Sequence, residues 1–139
     1  MNQQRMTKKN TKMNNIEQVG GTHYQKPIQP WDEFRRLNVS WAQGEITKYL
    51  CRWPFKNGMQ DLEKALSISK KYQSPISPKE LRYITYSEAF LEQYQDMYGP
   101  KYDIFRKCLK SLLRDEYYTV GELIEDLISY FKDHEPFEK

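Results

Sequence analysis

The residues whose types and spacing are best suited to chemistry lie in the first half of the chain, where charged side chains recur at helical spacing. If this stretch is a helix, a rotation of about 100° per residue places Glu45, Lys48 and Arg52 on one face, together with Trp41 and Gly44. Two cations one turn apart repel each other unless an acid or an anion lies between them. Glu45 could neutralise Lys48, and a bound phosphate group could satisfy both cations.

Further residues could complete an anion site around this face. Gly44 costs about 1 kcal/mol relative to Ala inside a helix, so its position indicates that a ligand or a neighbouring helix closely approaches the backbone. Lys56 and Lys64 could add positive charge to the same pocket, and His23 and Tyr24, which follow two glycines, are candidates to close it. The alternative is that the charged stripe is the solvated face of an ordinary amphipathic helix.

Charge and composition favour a small globular protein with an anionic ligand. Residues 1–72 carry thirteen Lys/Arg against six Asp/Glu, whereas residues 73–139 carry nine against thirteen. A basic half suits nucleic acid or a phosphorylated metabolite. We find no apolar run near the roughly 18 residues of a membrane span and no secretory leader, which predicts a cytoplasmic protein. Cys51 and Cys108 belong to no CxxC pair and are predicted to be reduced, partly buried thiols.

The hydrophobic periodicity predicts an all-α fold, a compact bundle of about five to six short helices. Residues 1–15 are polar and basic and are predicted to form a disordered arm. Residues 16–72 are expected to form a helical domain that opens with an ordered His-Tyr loop, and residues 73–139 a helical extension packed on it. No alternating strand pattern competes with these helices.

Capping signals divide the chain into individual helices. Pro30 opens a first helix that stops at Asn38, and Ser40 caps a second from Trp41 to about Arg52. The third helix is expected from about Gln60 to Tyr72.

In the second half, the capping-box sequence Ser77-Pro78-Lys79-Glu80 predicts a fourth helix, or a pair of helices, up to Gly99-Pro100. A fifth helix is marked by apolar residues between Tyr102 and Leu113. Thr119 and Glu122 predict a second capping box that opens the last helix.

The order of these residues resembles a small bacteriophage family that includes the unusual nucleotide kinase of the T-odd coliphages. The family pattern reads approximately HY, PxD, GxxxKYxxR, K and DLxKA, and the similarity covers about His23 to Ala65. The residues that carry the resemblance are His23-Tyr24, Pro30 to Asp32, Gly44-Glu45, Lys48-Tyr49, Arg52, Lys56, Gly58, Asp61-Leu62 and Lys64-Ala65.

The resemblance implies phosphoryl transfer from ATP to a deoxynucleoside monophosphate, in the cytoplasm of an infected bacterial host and without the usual P-loop. Consistently, the sequence contains neither GxxxxGKS nor GxxxxGKT. The resemblance implies that phosphate oxygens are clamped by Lys48, Arg52 and Lys56, and that His23 orients or protonates a phosphate. A base would stack on Tyr24 or Trp41. Two carboxylates, Glu45 and Asp61, would hold a hydrated Mg²⁺ or merely brace the cations.

The second half leaves alternatives open. Its tyrosines either contact a host or defence protein or pack the helical core; they are Tyr83, Tyr86, Tyr94, Tyr98, Tyr102, Tyr117 and Tyr118. A helical nucleotide pyrophosphohydrolase would need several carboxylates at ExxE spacing, and Glu122 with Glu125 and Asp126 supplies one such set, which a solvated helix face also explains. A homo-oligomer is compatible with the sequence, and the basic arm would add only sequence-independent affinity for nucleic acid.

Overall fold

The computed structural model describes residues 26–73 and 84–137, and within these stretches it is built from helices and short connections without a strand. The α-helices of these stretches are α1 (Pro30–Leu37), α2 (Trp41–Arg52), α3 (Met59–Lys71), α4 (Glu88–Glu92), α5 (Gln95–Tyr98), α6 (Tyr102–Leu113) and α7 (Tyr117–Phe131). Single 3₁₀ turns, Trp53–Phe55 and Gly99–Lys101, join α2 to α3 and α5 to α6. The predicted all-α class is confirmed.

Local capping places the first three helices close to where the sequence predicts them. Pro30 opens α1, and Asn38 ends it with a left-handed backbone at φ 53°. Ser40 caps α2 reciprocally, because its Oγ accepts from the Gln43 amide at 3.2 Å while Gln43 Oε1 accepts from the Ser40 amide at 2.8 Å. The arm at residues 1–15, the His-Tyr loop and the cap at Ser77 lie outside the described residues.

The later helix boundaries differ from the prediction. Residues 84–87 are not helical and Ser87 caps α4, so within the described residues the pair of helices is the alternative found before Gly99, as the short helices α4 and α5. The capping box at Thr119 and Glu122 is wrong, since α7 already begins at Tyr117 and Thr119 lies in its first turn. Asp115 lies in the connection between α6 and α7 and has a left-handed backbone at φ 59°. The Tyr117 side chain is buried in the core, and this burial stabilises the earlier start.

The core draws on both halves of the sequence. α7 packs against α3 and α6, and α2 packs against α3. Tyr98 stacks on Phe105 with ring centroids 4.3 Å apart, and its hydroxyl donates to the Leu50 carbonyl at 2.6 Å, which satisfies a buried polar group. No helix of the described stretches is long and apolar enough to cross a membrane.

Most of the second-half tyrosines belong to this core, which confirms the packing interpretation for them. The buried ones are Tyr86, Tyr94, Tyr98, Tyr102 and Tyr117. Tyr118 is exposed, and Tyr83 lies outside the described residues. Cys51 and Cys108 are free, buried thiols, and burial raises the pKa of each to about 12. Both therefore stay protonated near neutral pH.

A buried carboxylate, Glu33, ties α1 to the segment before α4. Its Oε1 accepts from the Ser87 amide at 2.6 Å and from Arg36 Nη2 at 3.1 Å, and Arg36 also donates to the Thr85 carbonyl at 2.9 Å. Burial alone would raise the pKa of Glu33, but the hydrogen bonds from Arg36 and Ser87 outweigh it and lower the pKa below its ordinary value of 4.5. The ionised form therefore stabilises the fold.

Replacing Glu33 with Gln should lower the free energy of unfolding by about 1–3 kcal/mol near neutral pH, because the charge that pairs with Arg36 is lost and the Gln amide nitrogen cannot accept the 3.4 Å bond that Arg36 Nε donates to Glu33 Oε2. The folded-state pKa of Glu33 is lowered, so the stability due to its charge is fully present above about pH 4.5 and is lost as pH falls through the folded pKa. Urea unfolding of wild type and Glu33→Gln, at neutral pH and near pH 3, should therefore show a difference that shrinks on acidification. Glu92→Gln, an exposed change on α4, is the control; an equal difference at both pH values would contradict this role of Glu33.

Candidate anion-binding site

The candidate site lies on a hairpin of two helices, α2 and α3. The chain reverses through the 3₁₀ turn, and the Gly58 amide donates to the Trp53 carbonyl at 2.9 Å. Gly58 adopts φ 60° and ψ −136°, a conformation that residues other than glycine rarely adopt. The reversal places the end of α2 beside the first turn of α3, and the start of α2 beside the end of α3.

Helical spacing gives each helix one stripe along this junction. The α2 stripe consists of Trp41, Glu45, Lys48 and Arg52, and the α3 stripe consists of Asp61, Lys64, Ile68 and Tyr72. The two stripes meet at both ends, since Arg52 contacts Asp61 and Trp41 contacts Tyr72. We call the strip formed by these eight residues, of which Asp61 lies beneath the surface, the α2–α3 face.

Three cations converge on one aromatic ring at the α2–α3 face. Lys48 Nζ lies 5.3 Å, Arg52 Cζ 5.1 Å and Lys64 Nζ 5.9 Å from the centroid of the Tyr49 ring. The negative face of an aromatic ring attracts a cation within about 6 Å, so Tyr49 offsets part of the repulsion among the three. We call Tyr49 and these three cations the Tyr49 cluster.

Two carboxylates partly neutralise the Tyr49 cluster. Glu45 Oε2 accepts from Lys48 Nζ at 2.9 Å, and both side chains are partly exposed. Asp61 Oδ2 lies 3.7 Å from Arg52 Nε. Three cations against two carboxylates leave one excess positive charge, and Lys64 forms no ion pair within the described residues.

Asp61 is the buried member of the site. Its side chain has 0% exposure, whereas that of Arg52 has 27%. Asn57 donates to the carboxylate from its amide and its side chain, both at 3.4 Å, and the first turn of α3 adds its positive dipole end. Arg52 Nε is buried without a hydrogen-bond partner among the described residues, so the Asp61 charge is the main compensation for it.

The other residues predicted for the site are placed differently. Lys56 is exposed and follows the 3₁₀ turn between Arg52 and Asp61. Trp41 lies at the start of α2, away from the cations. His23 and Tyr24 lie outside the described residues, so their roles stay predictions.

The close approach predicted at Gly44 is made by residues of the protein itself. A Cβ atom at this position would lie 3.5 Å from the Phe34 ring and 3.6 Å from Val39 Cγ2. Gly44 is buried where α1 and its following residues pack on α2. Of the two readings left open by the sequence, the neighbouring helix is the one found.

Glu45 and Asp61 have the contacts of carboxylates that brace the cations, and their role as magnesium ligands stays a prediction. Each faces a different cation, and the described residues contain no group of three His, Cys, Asp or Glu side chains that could hold a metal ion. The carboxylates of α7 also face cations: Asp126 lies 2.7 Å from Lys101, and Glu125 lies 3.9 Å from Lys70. These are contacts of a solvated helix face.

Sequence reasoning did not single out Tyr49 or Tyr72 as site residues. Tyr49 lies at the edge of the α2 stripe, and only the neighbouring α3 reveals that Lys64 shares its ring with Lys48 and Arg52. The usable signal was local, because Tyr49 directly follows Lys48 and lies one turn before Arg52.

The structure makes Gly44→Ala a harmless or stabilising change. The added Cβ atom would meet its neighbours at ordinary van der Waals distances, and alanine favours a helix interior by about 1 kcal/mol. We expect the free energy of unfolding to rise by up to about 1 kcal/mol, with anion binding at the candidate site unchanged. Gly121→Ala in α7 is the matched comparison, because its Cβ atom would lie 3.2 Å from the buried Ser69 Oγ, and it should gain less or lose stability. A loss of binding in Gly44→Ala would return this residue to the ligand site.

The Arg52–Asp61 pair should respond asymmetrically to mutation. Arg52→Ala leaves a fully buried carboxylate without its cation and should cost about 3–5 kcal/mol. Asp61→Asn leaves the buried Nε of Arg52 uncompensated, but the side chain as a whole is partly exposed and its charge stays in contact with water, so the change should cost less, about 1–3 kcal/mol. Denaturant titration of both single variants and the double variant measures this difference. Equal costs for the two single variants would show that Asp61 is not a compensated buried charge.

Comparison with known proteins identifies no relative for this geometry. No family model matches the chain, and neither the curated proteins nor the solved structures contain a match. The resemblance over residues 23–65 therefore stays an expectation, and the contacts of the α2–α3 face are what bear on function.

Proposed function

We propose that the Tyr49 cluster binds the phosphate groups of a nucleotide. The observation that carries this proposal is the convergence of Lys48, Arg52 and Lys64 on the Tyr49 ring with one excess positive charge. Within the described residues, neither Lys64 nor the terminal nitrogens of Arg52 have a hydrogen-bond acceptor. A phosphate would supply acceptors for both.

The chemistry of the cations suits phosphate oxygens. Arginine offers a planar pair of donors that matches two oxygens of one phosphate, and lysine adds a compact charge. Lys48 would exchange Glu45 for the ligand, at small cost because both side chains of that pair already contact water. Asp61 would hold Arg52 from behind while its terminal nitrogens face the ligand.

The finer form of the proposal is phosphoryl transfer from ATP to a deoxynucleoside monophosphate in the cytoplasm of a phage-infected cell. Such transfer needs mainly positioning and charge neutralisation, which a cation cluster supplies without a covalent intermediate. Mg²⁺ would arrive with the ATP phosphates and keep most of its waters, as is common for this ion. His23 and Tyr24 remain candidates to cover the phosphates.

Charge variants of the cluster test phosphate binding. Isothermal titration with inorganic tripolyphosphate should show binding to wild type, and Lys48→Ala or Lys64→Ala should weaken it about 10-fold, the effect of about 1.4 kcal/mol. Glu45→Gln should strengthen binding, because it frees Lys48 and removes a nearby negative charge. Lys110→Ala, an exposed lysine of α6, is the control. No binding to wild type, or equal losses in the control, would contradict the proposed site.

Turnover tests the finer proposal separately. Wild type with Mg²⁺, ATP and each deoxynucleoside monophosphate should form the deoxynucleoside diphosphate, and Lys48→Ala should reduce the rate. Arg52→Lys keeps the charge near Asp61 but loses the bidentate fork, so it should reduce the rate while retaining the fold. Tripolyphosphate binding without any diphosphate product would reject the kinase and leave the phosphate site.

A further inference from the structure

An exposed aromatic pair lies at the end of the α2–α3 face opposite the cations. Trp41 is 63% exposed and Tyr72 is 47% exposed, although their ring centroids lie only 6.4 Å apart. The ring of Tyr72 also packs against that of the buried Tyr117, with ring centroids 5.7 Å apart. Tyr72 is thus supported from the core, and Trp41 extends the aromatic surface to solvent.

Both helices set nearly the same distance between this pair and the cations. Lys48 lies seven positions after Trp41 on α2, which is about 10 Å along the helix axis. Tyr72 lies eight positions after Lys64 at the end of α3, which is about 12 Å. Because the two helices run antiparallel, the aromatic residues share one end of the face and the cations share the other.

A matching ligand has a flat ring at one end and phosphate groups at the other, about 10 Å apart. An extended nucleoside triphosphate has this form, since its sugar and first phosphate separate the base from the terminal phosphates. A nucleoside monophosphate places its phosphate directly beside the sugar and is too short to engage both ends. The face therefore distinguishes nucleotides by length.

We propose that Trp41 and Tyr72 form a base-stacking platform and that the α2–α3 face binds an extended nucleoside triphosphate. This inference rests on the proposed function, because it places the terminal phosphates at the Tyr49 cluster. Stacking uses the faces of the base, which all bases share, rather than the edges that distinguish them. The platform thus contributes affinity with little preference among the bases.

Paired titrations test the platform. In a Trp31→Phe background, which removes another exposed tryptophan, nucleoside triphosphates should quench the fluorescence of Trp41, and tripolyphosphate should not. By isothermal titration, triphosphates of all four bases should bind at least about 10-fold more tightly than tripolyphosphate, and deoxynucleoside monophosphates more weakly than either.

Variants assign the gain to the two rings. Trp41→Ala and Tyr72→Ala should reduce triphosphate affinity to that of tripolyphosphate and leave tripolyphosphate binding unchanged. Lys48→Ala should weaken both ligands. Tyr118→Ala, which removes a tyrosine that is 65% exposed outside the platform, is the matched control and should change neither. Trp41→Leu repeats the Trp41 test with a side chain that retains apolar packing.

The outcomes separate the two proposals. If tripolyphosphate does not bind wild type, the proposed phosphate site fails and the platform inference fails with it. If tripolyphosphate binds but triphosphates bind no more tightly, or Trp41→Ala and Tyr72→Ala bind triphosphates normally, the platform is rejected and the phosphate site stands. A single-stranded oligonucleotide that binds more tightly than any triphosphate would also reject the assignment, because it would make the face a nucleic-acid surface.

Discussion

The α2–α3 hairpin depends on the buried negative charge of Asp61. A carboxylate with no access to water must be compensated within the protein, and here the compensation comes from Arg52, from Asn57 and from the first turn of α3. These groups belong to the end of one helix, the turn and the start of the next. Satisfying a single charge therefore fixes the register between α2 and α3, and with it the alignment of the two stripes that form the α2–α3 face.

The buried charge of Asp61 also sets the orientation of the Arg52 side chain. Its Nε faces Asp61 in the protein interior, while its guanidinium carbon lies over the Tyr49 ring. Lys48 is held more weakly, by a partly exposed carboxylate that water can replace. The cluster thus combines one cation that is fixed from behind with two that can move, an arrangement suited to a polyphosphate whose oxygens must be met from several directions.

The parts of the fold that follow from local physics were predictable from the sequence. Pro30, Asn38 and Ser40 set helix ends through backbone preferences and caps, and the spacing of the charges put Glu45, Lys48 and Arg52 on one side of α2. For Gly44 the sequence indicated a close approach but left two alternatives, because a helical glycine does not show whether a ligand or another helix approaches it. The predicted start of α7 was wrong because burial of Tyr117 outweighs the capping sequence at Thr119.

The remaining features depend on contacts between distant segments, which periodicity does not encode. Glu33 reads as a helix N-terminal acid, and only its bond to Ser87 explains its burial. Tyr72 reads as the last residue of a helix, and only the antiparallel return of α3 brings it to Trp41. The order of the charged residues in the sequence indicated where an anion could bind. The distance between the aromatic pair and the cations became visible only from the pairing of the two helices.

Between the two ends of the α2–α3 face, Glu45 and Ile68 occupy the middle of their stripes. A carboxylate there repels phosphate, and a half-buried apolar side chain offers it no hydrogen bond. A phosphate is therefore best accommodated at the cationic end, beyond Glu45, and an aromatic ring at the other end. For the proposed ligand this charge distribution selects one direction of binding, so that Glu45 orients the nucleotide as well as restraining Lys48 in its absence.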